Sequence, residues 1–126
     1  MRAPYRSFAP AALRKLLKVE GLLELGLLSR ACELLEELET EPRGAELLEP
    51  TRLFYKGDVL YRLGHYEEAI VPLQQAARSL PPSLADRAWR RLADCREALG
   101  QAELADYART HDRRLRESRE QRSSDR

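Results

Sequence analysis

Leu63-Gly64-His65-Tyr66-Glu67-Glu68-Ala69 joins two runs of apolar residues at helical spacing. Its skeleton is Leu-Gly, four residues, then Ala, and the chain carries it twice more, as Leu25-Gly26 with Ala31 and Leu99-Gly100 with Ala105. The glycines stand 38 and then 36 residues apart. A unit recurring at this spacing predicts a stacked helical array. Each unit buries its apolar face only against its neighbours, so three copies lie near the minimum for stability.

The phrase has a packing rationale. Glycine at a helix end frees the backbone and satisfies the last carbonyls. An alanine five residues on is expected to face the first helix of the hairpin, where a larger side chain would push the pair apart. The leucine before each glycine is expected to seal the hairpin from below.

Working outward from the three glycines, the chain reads as six helices in three antiparallel pairs. From Pro10 apolar residues fall at Leu13, Leu16, Leu17, Leu22, Leu23 and Leu25, a helical period. Ser7 or Pro10 supplies the start. After Gly26 come Leu27, Leu28, Ala31, Leu34, Leu35 and Leu38, closed by Glu41-Pro42-Arg43-Gly44. Ala45 to Pro50 reads either as a loop or as an extra helical turn, with Pro50 suited to the first position of the third helix. That helix holds Leu53, Phe54, Val59, Leu60 and Leu63. Tyr66 to Leu80 forms the fourth, and Pro72 inside it is expected to kink or loosen its first turns. Ser83 is a candidate cap for the fifth helix, with Asp86 in its first turn. The sixth begins near Ala102, and its apolar pattern fades after Ala108 into Arg, Glu and Ser, which predicts a solvated, fraying end. The expected division is an irregular basic stretch over 1–9, three units near 12–44, 50–82 and 84–112 within a domain over 10–112, and a charged tail over 113–126.

Composition narrows the function classes. Charged residues make up 34 % of the 126 and aromatics 6 %, with a net charge of +1. No global field selects nucleic acid or membrane, and no apolar run reaches the roughly 20 residues of a membrane span. The arginines from Arg109 onward alternate with Asp112, Glu117, Glu120 and Asp125, as on a solvated face. The two cysteines, Cys32 and Cys95, fall at different phases of the unit and read as free thiols. Neither pairs by spacing with His65 or His111 in a catalytic motif. No phosphate loop, metal-ligand spacing or Gly-x-Ser-x-Gly phrase occurs, so neither a cofactor nor catalysis is expected. Met1 to Val19 carries Arg2, Arg6, Arg14, Lys15 and Lys18 and no acid. It reads as a basic lead into the first helix, with a cytoplasmic location, or as an organelle presequence.

The chain resembles the tetratricopeptide repeat, whose unit is a helix hairpin. The middle unit carries the resemblance: Leu53, Gly57 and Leu60 in its first helix, Gly64-His65-Tyr66 at the turn, Ala69, Leu73 and Ala76 in its second, and Pro81 at its close. The third unit has Trp89, Leu92, Ala93, Gly100 and Ala105, and departs at Arg96, Arg109 and Asp112, as a terminal unit with no neighbour to cover. The first keeps Gly26, Ala31, Leu35, Leu38 and Pro42, but has Lys15 and Lys18 where the family has Trp and Leu.

The resemblance implies an all-α superhelix of about three hairpins whose first helices line a concave groove for a protein or peptide. Carried over, the groove residues are Leu13, Leu16, Glu20 and Leu23; Phe54, Asp58, Tyr61 and Arg62; and Arg87, Arg90, Asp94 and Glu97. Phe54 and Tyr61 share a face as a candidate aromatic patch, or else pack on the next unit. The carboxylate clamp of one subfamily needs Asn, and the chain has none. The expected function is a non-catalytic adaptor, scaffold or small chaperone, similar to the three-repeat chaperones of bacterial secretion systems. The alternative is a structural subunit of a larger complex. Monomer, homodimer and complex subunit all remain open.

Overall fold

The structure is a computed structural model and describes residues 10–40 and 48–124. The irregular stretch over 1–9 and the stop at Glu41-Pro42-Arg43-Gly44 lie outside the described residues, as do the first residues of the Ala45 to Pro50 segment. The fold is all-α: α1 Pro10–Glu24, α2 Leu28–Glu39, α3 Glu49–Arg62, α4 Tyr66–Ser79, α5 Pro82–Ala98 and α6 Ala102–Ser124. Among the described residues there is no strand.

The repeated phrase builds the same turn three times. Gly26, Gly64 and Gly100 have φ of +74°, +82° and +75°, in the left-handed region where a Cβ is strained. At each turn the glycine N–H donates three residues back, to Leu23, Tyr61 and Glu97. The following N–H donates five back, from Leu27, His65 and Gln101 to Leu22, Leu60 and Arg96. These paired bonds are the Schellman closure of a helix C-terminus. The residue after each glycine also begins the next helix, accepting from the N–H of Ala31, Ala69 or Ala105. Those three alanines are 0 %, 0 % and 1 % exposed, so they sit where the hairpin helices meet. The leucine of the phrase does not seal the first two hairpins from below: Leu25 is 74 % exposed and Leu63 is also exposed, whereas Leu99 is half-buried. Leu25 and Leu63 stand just past the last residue of their helices, where the side chain turns outward.

Each helix packs on the next along the chain, and α3 also touches α1 and α5. The buried stripes explain this. α1 contributes Ala12, Leu16, Val19 and Leu23 at three- and four-residue spacing, and α2 contributes Ala31, Leu34, Leu35 and Leu38. Together with Phe54, Tyr55, Val59, Leu73, Ala76, Ala88, Leu92 and Cys95 they form one continuous core through α1 to α5. α6 joins through Ala105 and Ala108, both buried. At Gly57 α3 packs tightly against α4. A Cβ built there would lie 2.4 Å from Leu73 Cγ.

One local expectation, the cap at Ser83, is corrected, and α4 and α6 are continuous helices. α4 runs unbroken through Pro72, whose ring is buried. The bond it forgoes is to the carbonyl of Glu68, an exposed residue, so water can replace it. α5 starts at Pro82 with Pro81 as its flanking residue, ahead of Ser83. Asp86 lies beyond its first turn and is buried, accepting the Arg87 N–H at 2.9 Å. α6 continues as a helix past Asp112 to Ser124.

The glycines make a graded test. Gly21 lies within α1 with open space around it, so Gly21→Ala is expected to stabilise by roughly 0.5–1 kcal/mol. Gly64→Ala meets no atom but forces a Cβ into a left-handed backbone, at a cost of about 1–2 kcal/mol. Gly57→Ala drives a methyl into Leu73 and is expected to cost about 1–3 kcal/mol. Thermal melts of the three variants check the order; a Gly64→Ala melt at or above wild type would contradict the turn assignment.

Candidate functional site

The surface on which α1, α3 and α5 meet is the place the groove residues were expected, and the structure sorts them. Leu16, Leu23 and Phe54 are buried and line no open surface. A helix residue at four-residue spacing from other apolar residues faces whatever lies beneath, and here that is the core. Phe54 is covered from outside by Arg87, whose guanidinium carbon sits 5.0 Å from the ring centroid. Tyr61 is half-buried and covered in the same way by Arg91 at 4.5 Å. Phe54 and Tyr61 therefore form no exposed aromatic patch. Stacked guanidiniums of the next hairpin cover them.

Between those two stacks lies Asp58, 4 % exposed. Arg91 Nε approaches Asp58 Oδ1 to 2.6 Å, and Arg62 Nε lies 3.3 Å from Oδ2. The Arg91 contact is an ion pair off the hydrogen-bond angle, and Oδ1 accepts no well-aligned bond among the described residues. Arg62 also donates through Nη1 to the Leu23 carbonyl at 2.9 Å, tying α3 to the end of α1. Arg91 reaches Asp94 Oδ2 at 3.3 Å. Arg91 thus contacts Tyr61, Asp58 and Asp94, yet the sequence reading passed it over. The signal was present: Arg91 stands four residues after Arg87, on the same face of α5.

At the α1 end, Arg87 Nη1 lies 4.0 Å from Glu20 Oε1. The Tyr55 hydroxyl interacts with both groups, and its pKa is held up first by burial and then by the Glu20 carboxylate. At the α6 end the expected groove residues turn out to serve the third hairpin. Arg90 bridges Asp86 at 3.5 Å and Asp112 at 3.7 Å. Asp94 lies 3.7 Å from Arg109, which also pairs with Glu97. Arg109 and Asp112 are therefore contacts that close α5 on α6, and Asp112 is 2 % exposed. The reading of Asp112 as surface left uncovered is corrected, while Arg109 stays exposed.

What stays open on this surface is mainly on α1. Leu13 and Leu17 are 40 % and 59 % exposed. They share a helical stripe with Glu20, four and three residues apart. Nucleophilic chemistry is poorly served. Cys95 is fully buried, and burial, opposed by Arg91, pushes its thiol up to about 11. Cys32 is half-buried beside a small cleft between α2 and α3, and burial, then Glu36, raises its pKa as well. Both are free. Among the described residues no group of three or more His, Cys, Asp or Glu is placed to hold a metal ion, and no helix is long and apolar enough to cross a membrane.

Compared with protein-family models, curated proteins and solved structures, the chain matches none. The thiol environments give a direct check on the packing. Burial raises the pKa of both thiols, which lowers their thiolate fraction and slows their reaction in the fold. Iodoacetamide is expected to label Cys32 slowly, and Cys95 only when urea unfolds the chain. Peptide mapping reads the order, and equal native labelling of the two would contradict the buried placement of Cys95.

Proposed function

We propose that the chain is a non-catalytic protein-interaction module, as its resemblance to the tetratricopeptide repeat implies, and that it takes a partner's apolar side chains on the open α1 stretch of the inner face. One observation carries this reading: Leu13 and Leu17 lie uncovered beside a surface that is otherwise filled by the chain's own ion pairs. Covering such side chains is worth about 25 cal/mol for each Å² removed from water. Glu20, Arg62 and Arg87 then form a charged rim rather than the anchor. The α3 and α5 contributions to the groove reduce to that rim, because Phe54 and Asp58 are already engaged.

A second reading has its own support. Leu25 and Leu27, in the turn at the end of α1, are also exposed. An apolar edge of this kind favours a subunit held permanently in a larger assembly.

Affinity capture with the wild-type chain and with a Leu13→Glu, Leu17→Glu double variant tests the module. Both side chains are exposed, so the melt is expected to stay within about 1 kcal/mol of wild type. The captured proteins should be lost; an unchanged set would overturn the α1 reading. The size of the purified chain separates the two readings: a stable monomer or dimer favours the adaptor, and insolubility without a partner favours the subunit.

A further inference from the structure

A second concave surface lies outside the inner face. α4 and α6 each pack on α5. Between them, over α5, is a cleft of about 370 Å³, within the range of ligand-binding pockets. Its floor is Trp89, and its α6 wall is Leu104, Tyr107 and His111. The Trp89 and His111 rings stack at 4.2 Å between centroids, and Tyr107 meets Trp89 edge-on at 6.4 Å. Tyr107 is nevertheless 63 % exposed, and Leu104 is exposed beside it. The stack fixes the aromatic wall, so a ligand meets a preformed apolar surface at little entropic cost.

The charge of the cleft has one sign. Arg78 of α4 and Arg96 of α5 line it, and no carboxylate does. Arg78 pairs with no acid among the described residues. Arg96 donates to the neutral Gln101 Oε1 at 2.8 Å, so its charge is not cancelled there. The two arginines start from opposite ends of the cleft. Arg78 lies beside the turn into α5, whereas Arg96 lies two helical turns beyond Trp89, roughly 10 Å along the axis. Two basic positions flanking an apolar wall suit a chain segment with carboxylates on either side of an apolar side chain. His111 Nδ1 is buried against this wall with no hydrogen-bond partner among the described residues.

From these observations we infer that the outer cleft binds an acidic peptide segment of a partner protein. One leucine or aromatic side chain packs against Trp89, Leu104 and Tyr107, and flanking carboxylates pair with Arg78 and Arg96. This surface is separate from the α1 stripe, and its occupation does not depend on that reading.

Panning a displayed random-peptide library against the full chain supplies the probe. Enriched peptides are expected to carry Asp or Glu on both sides of a Leu, Phe or Trp. Measured by fluorescence anisotropy, their binding should weaken roughly tenfold or more in Tyr107→Ala and in Arg78→Glu with Arg96→Glu. The charge-reversed variant should gain binding to the same peptides rewritten with Lys for each acid, a rescue that mere unfolding would not give. Binding should persist in Leu13→Glu with Leu17→Glu. Four outcomes overturn the inference: no enrichment, enrichment without acidic residues, binding indifferent to the cleft variants, or a dimer of the chain that Tyr107→Ala dissociates.

Discussion

Asp58 is a carboxylate buried between two hairpins, and the organisation of the inner face follows from how its charge is met. An isolated charge at such a depth costs several kcal/mol, and only a close counter-charge makes it tolerable. Arg91 supplies that charge from α5 at 2.6 Å. Once Arg91 is fixed there, the register of α5 on α3 is fixed with it. Arg87, one turn earlier, falls over Phe54, and Arg91 itself falls over Tyr61. Arg87 and Arg91, four apart on α5, thus reach Phe54, Asp58 and Tyr61, which stand four and then three apart on α3. The second and third hairpins are thereby joined by charge and ring faces above a shared apolar core.

Function shifts as a result. A face whose arginines are spent on its own acids and aromatic rings has little left for a partner. The unsatisfied apolar surface lies at its margins, on α1 at one end and in the α4–α6 cleft on the outside. Both margins are placed by the small residues of the repeat. Left-handed glycines reverse the chain without a long loop, and Ala31, Ala69 and Ala105 let the helices of each hairpin close up. Gly57 brings α3 onto Leu73. The stacking of the last two hairpins leaves the cleft between α4 and α6 over α5.

Much of this was legible in the sequence. The three turns, their glycine conformations and the burial of the alanines follow from local rules, since each involves residues within one turn of another. The helix limits agree to within a residue or two wherever a proline or glycine marks them. The misreadings share one cause. Phe54 reads equally as a groove residue or as packed on the next unit, because its cover, Arg87, comes from the next hairpin. Asp112 looked like solvent-facing polarity because its partner Arg90 sits on the previous helix. Leu25 and Leu63 look like core by composition, but cap positions turn them outward. Pro72 reads as a breaker only if its lost hydrogen bond falls in the interior. The outer cleft was illegible for the same reason: Trp89, Tyr107 and Arg78 become neighbours only when three helices are stacked.

The most direct measurement is a double-mutant cycle on Asp58→Ala and Arg91→Ala by urea unfolding. Arg91 remains partly solvated, which lowers the pair below the value of a fully buried one. A coupling energy of about 1–3 kcal/mol is expected, with each single variant alone strongly destabilised. Additivity within about 0.5 kcal/mol would show that the two residues act independently, and would contradict a stack organised around their contact.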